Sequence, residues 1–157
     1  MNNNFDEKYI IELVKKELSK YLTEQVIEMK KQISFLGDDK DIEEKLSQKF
    51  EISENAETLV VSKLSLKNLY NISNAIYEND YEEKIIKFLL ENKEIIIIKE
   101  GIEYSKYENI PVAVLKRYEE YIEKIKTYGI KIESKDFYIN SLGKKEEVYS
   151  KKLLDLN

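Results

Sequence analysis

Two stretches of this chain hold residue types that could do chemistry. Glu100-Gly101-Ile102-Glu103-Tyr104 sets two carboxylates three positions apart, with a glycine between them that permits a sharp turn and phenols at Tyr104 and Tyr107. Carboxylates close together shift each other's pKa and can divide acid and base roles. Ser62-Lys63-Leu64-Ser65 offers two hydroxyls and an ammonium just ahead of a helical pattern, a combination suited to an anion at a helix N-terminus. Each stretch also has a plainer reading. Carboxylates beside a turn accept hydrogen bonds from backbone N–H groups, and serines ahead of a helix cap it. The chain has no cysteine and no histidine, which removes thiolate nucleophiles, Cys-ligated metals and the commonest general base together. No catalytic residue and no metal ligand is therefore assigned. Ser62, Lys63, Ser65, Glu100, Gly101, Glu103 and Tyr104 stand as candidates for binding a ligand.

These residues would have to be positioned by the stretch from Thr58 to Tyr104. It opens on Thr58-Leu59-Val60-Val61-Ser62 and reaches Ile95-Ile96-Ile97-Ile98 after two helical patterns. Four consecutive isoleucines have no polar face, so a strand made of them must be covered on both sides, as in parallel sheets flanked by helices. Both candidate stretches then follow the carboxyl ends of central strands, the edge on which open α/β sheets build their sites. Strands are expected near 32–36, 50–52, 58–62, 94–98 and 130–132, with a further one over 137–140. Helices are expected near 41–48, from Leu66 to about Ile76, near 81–91 and over 112–128. Asp39 or Asp41 caps the first of these, Ser65 with Asn68 starts the second, and Pro111 and Gly129 bound the last. The expected fold class is α/β: a three-layer, open, mostly parallel sheet of flavodoxin- or Rossmann-like type spanning residues 31–157. The order of its strands is not legible in the pattern.

Gly37 follows the first expected strand, where a phosphate-binding loop could begin. The residues after it are Asp38, Asp39, Lys40 and Asp41, with no second glycine. Carboxylates there repel a phosphate, and neither a dinucleotide fingerprint nor a P-loop is written.

Ahead of the sheet, residues 5 to about 29 read as an amphipathic helix. Tyr9, Ile10, Leu13, Val14, Leu18 and Tyr21 recur at spacings of three and four among Glu and Lys. The pattern alone favours a helix packed on the domain or pairing with a second subunit as a homo-oligomer. The sharper alternative is a docking helix that lays these six side chains into another protein. The tail, Val148 to Leu154, fits either a sheet edge or a partner segment. Most of the twelve tyrosines fall at core or boundary spacing, where the ring packs and the hydroxyl reaches water.

Charged residues are 36% of the chain, interleaved in sign, with a net charge of −5. A nucleic-acid partner is disfavoured without a concentrated basic surface. No apolar run approaches the ~20 residues of a membrane span. The first residues lack the basic and apolar regions of a secretory signal. A cytoplasmic location is expected.

Taken together, Ser62-Lys63-Leu64-Ser65 with its following helix, the Ile95–Ile98 strand running into Lys99-Glu100-Gly101-Ile102-Glu103-Tyr104, and a tyrosine-bearing helix ending Tyr128-Gly129-Ile130 resemble a known group. The group is the small accessory proteins of ethanolamine and propanediol utilisation that are encoded with bacterial microcompartments. The N-terminal helix is similar to those such proteins carry, and the likeness covers most of the chain. The resemblance implies a non-catalytic accessory or assembly role, with shell proteins or pathway enzymes as partners and a place within or on the organelle. A more distant likeness runs to the flavoprotein decarboxylase fold, which holds the phosphate of FMN with serines or threonines at the position of Ser62 to Ser65. That group also carries an Asp-Asn pair where this chain has Glu78-Asn79, and uses a histidine that this chain lacks. The first likeness carries no cofactor; the second makes FMN, or a phosphorylated small molecule, the alternative ligand. A carboxylate-based enzyme using Glu100 and Glu103 is the third reading.

Overall fold

The computed structural model describes residues 3–28 and 30–143. The chain divides into two compact units, Met1–Lys31 and Gln32–Asn157. The first unit is helix α1, Asn3–Glu28. Every residue from 6 to 22 along it is exposed, and its apolar surface is broader than one stripe. Successive residues turn by about 100° around a helix, so the consecutive Tyr9, Ile10 and Ile11 together span much of the circumference.

The second unit is built on a five-stranded sheet, β1 (Gln32–Leu36), β2 (Glu51–Ile52), β3 (Thr58–Val61), β4 (Glu94–Ile98) and β5 (Lys131–Glu133). Every pairing is parallel and the order is β2-β1-β3-β4-β5, the arrangement of flavodoxin-like doubly wound sheets. Helices join and flank the strands: α2 (Lys40–Lys49), α3 (Leu66–Ser73), α4 (Asp80–Leu90) and α5 (Val112–Thr127). Residues 135–143 form a further helix, α6. Only residues 53–57 lie between β2 and β3, and they form no helix; β2 pairs with Gln32 and Ile33 at the amino end of β1. The chain crosses there in a short loop, held by Ser53 N–H donating to the Ile33 carbonyl at 2.9 Å and by the Ser34 hydroxyl donating to the Ser53 carbonyl.

The isoleucine block occupies the inner strand β4, and all four of its isoleucines are buried. Alternation divides them between two cores. Ile95 and Ile97 join Leu59 and Val61 against α3, α4 and α5, through Leu69, Ile72, Ile85, Phe88, Ile122 and Ile125. Ile96 and Ile98 join Ile33 and Val60 against α2 and α6, through Ile42, Leu46, Tyr138 and Leu142. The three-layer α/β architecture follows directly from covering both faces of this block.

Within the α/β unit, the element at 137–140 differs from the sequence expectation. Residues 137–140, expected as a strand, are helical, and the helix continues through Gly143. The run Phe137-Tyr138-Ile139 suits a strand locally. The decisive spacing is Tyr138 to Leu142, four apart on one helical face, both buried on the second core. Ser134 also caps the start, its hydroxyl accepting from Phe137 N–H at 3.2 Å. The tail reading for 148–154 lies outside the described residues.

Candidate functional site

The loops at the carboxyl edge of the sheet bring the expected ligand residues into one region. Beyond β3 and β4 the chain stays parallel for one more step, because Leu64 and Ile102 form a bridge. Leu64 N–H donates to the Gly101 carbonyl at 2.9 Å, and Glu103 N–H donates to the Leu64 carbonyl at 2.9 Å. The two loops are thus closed on one another.

Ser62 sits at the centre of this closure. Its hydroxyl donates to the Leu36 carbonyl at 3.1 Å and accepts a long contact from Asp39 N–H at 3.5 Å. Two of the chain's glycines press against it. A Cβ on Gly37 would fall 1.9 Å from the Ser62 hydroxyl oxygen, and one on Gly101 would fall 1.8 Å from the Ser62 carbonyl oxygen. Gly37 also adopts φ +118°, a conformation that favours glycine. In a sheet of this order the crevice between the carboxyl ends of β1 and β3 is where ligands bind. Here Ser62, the residue after β3, is buried and bonded to Leu36 at the end of β1.

The remaining candidates bond within the chain as well. Ser65 is the N-cap of α3, and it forms a reciprocal capping box with Asn68, both bonds being 3.0 Å. Lys63 reaches Asp38 at 3.3 Å in an exposed pair, of the kind that contributes little. Glu103 accepts from Leu66 N–H at 2.6 Å in the first turn of α3. Glu100 accepts from Lys135 N–H at 2.9 Å at the start of α6. The two glutamates therefore serve helices on opposite faces of the sheet and do not converge on a common proton. Tyr104 stacks on Tyr118, with ring centroids 5.5 Å apart, and burial, with Glu119 adding to it, raises its pKa.

The turn at 62–65 is tied into hydrogen bonds of the chain itself. The Ser62 hydroxyl donates to the Leu36 carbonyl, the Ser65 hydroxyl oxygen accepts from Asn68 N–H, and the Lys63 ammonium is paired with Asp38. Among the described residues no group of three or more acidic side chains is placed to hold a metal ion.

Asp39 ties the edge together in a way the sequence hinted at only in part. Its carboxylate caps α2 by accepting from Ile42 N–H at 3.1 Å, as expected, and also receives Lys135 Nζ at 3.0 Å. Asp41 lies 3.5 Å from the same ammonium. Burial works to raise the Asp39 pKa, but Lys135 and the backbone donors outweigh it and hold the pKa below its ordinary 3.8. Asp39→Ala removes both the cap and the ion pair. It is expected to lower stability by about 1–2 kcal/mol, read as a lower denaturation midpoint at unchanged m-value. A change within 0.3 kcal/mol would show that water replaces both interactions.

Two features were not visible as sites in the sequence. One is a groove of about 580 Å³ between the loop at 104–111 and the first turn of α5, lined by Tyr104, Tyr107, Ile110, Pro111, Val114 and Tyr118 among others. Its tyrosines are scattered over two elements, and only the fold assembles them. The other is Glu82, a fully buried carboxylate in α4. It accepts from Asn68 Nδ2 at 2.6 Å, Asn71 Nδ2 at 3.0 Å and Glu78 N–H at 2.9 Å. No lysine or arginine is bonded to it in that cluster, so neutral donors hold the charge.

On α1, Tyr9, Ile10, Leu13, Val14, Leu18 and Tyr21 have between 43% and 64% of their surface exposed. No described helix is long and apolar enough to cross a membrane. Set against protein-family models, curated proteins and solved structures, the chain matches none of them.

Proposed function

We propose that this chain is a non-catalytic accessory protein that acts by binding other proteins, with α1 as its docking element. The observation that carries this reading is the exposure of Tyr9, Ile10, Leu13, Val14, Leu18 and Tyr21 on one continuous helix. Exposed apolar side chains in a contiguous set mark interaction surfaces, whereas single ones are ordinary. The engagement of Ser62, Ser65, Glu100 and Glu103 in the chain's own bonds gives these residues structural roles at the sheet edge, which favours an accessory role over catalysis. The resemblance to ethanolamine- and propanediol-utilisation accessory proteins names the partner class: shell proteins or pathway enzymes of a bacterial microcompartment.

The test uses purified shell proteins and pathway enzymes of such a compartment as bait. Full-length protein is compared with a Leu13→Lys/Leu18→Lys double variant. Both leucines lie on an exposed helix, so the thermal melt of the α/β unit is expected to stay unchanged. Burying a leucine is worth about 1.5–3 kcal/mol, so losing both should weaken capture by on the order of 100-fold or more. Equal capture of the two proteins removes the docking role of α1. Failure of every shell protein and pathway enzyme to capture even the full-length chain removes the microcompartment setting.

A further inference from the structure

We draw no further inference here: the strongest candidate, the tyrosine-lined groove of about 580 Å³ between the loop at 104–111 and the first turn of α5, carries nothing, because nothing in the structure shows what covers this apolar surface.

Discussion

Replacing Gly101 with alanine is expected to destabilise the α/β unit by about 3 kcal/mol, near the upper end of what overpacking costs. The added methyl would lie 1.8 Å from the Ser62 carbonyl oxygen and 2.6 Å from its carbonyl carbon. Both are main-chain atoms, so no rotamer change can clear the way. The loops after β3 and β4 would have to separate, breaking the backbone bonds between Leu64 and the 101–103 segment. Urea unfolding of the variant beside the unaltered protein gives the number directly. A Ser62→Gly background supplies the control, since removing the side chain leaves the obstructing carbonyl in place. Gly101→Ala should cost nearly as much in that background. A cost below 0.5 kcal/mol, or full rescue by Ser62→Gly, would show that the two loops are not closed together as described.

Glu82→Ala is expected to cost about 2–4 kcal/mol, because it empties a fully buried position, strands the buried Asn71 amide and takes a partner from two half-covered donors. The amide groups of Asn68 and Asn71 and the N–H of Glu78 all lose their acceptor. Glu82→Gln keeps the shape and one acceptor oxygen, but turns an NH₂ group toward other donors. It should fall between the alanine variant and the unaltered protein, at about 1–3 kcal/mol. The pH dependence separates charge from shape. Burial acts to raise the Glu82 pKa, but the bonds from Asn68, Glu78 N–H, Asn71 and Asn79 outweigh it and hold the pKa below its ordinary 4.5. A carboxyl depressed in the folded state contributes stability that is complete above its unfolded value and is lost as pH falls through the folded one. The difference between the unaltered protein and Glu82→Gln should therefore be steady from pH 7 down to about 4.5 and shrink below it. A gap that stays constant down to pH 3 would mean that the fold does not hold the Glu82 pKa below its ordinary value.

These two effects come from different depths of the sequence. Gly101 was visible as a turn residue beside two carboxylates, yet nothing local revealed that it faces the main chain of Ser62. That contact joins segments 39 positions apart (101 − 62). Glu82 reads in the sequence as one more acid in a first helical turn, indistinguishable from Glu83. It is the packing of α4 on α3 that encloses Glu82 and leaves its neighbour in water.

The amino-acid sequence by itself determined the local elements, because each rests on interactions between near neighbours. The valine and isoleucine runs made β3 and β4, Asp39 and the Ser65–Asn68 pair started α2 and α3, and Gly129 at φ +93° ended α5. It also determined the layered α/β class, since Ile95 to Ile98 leave no polar face and need helices on both sides. Only the tertiary structure decided the strand order, the helical state of 135–143, the division of Glu100 and Glu103 between opposite faces, and the burial of Ser62 against Leu36, Gly37 and Gly101. Each of these depends on which distant side chains meet, and an apolar run or an acid is locally the same residue whichever neighbour the fold brings to it.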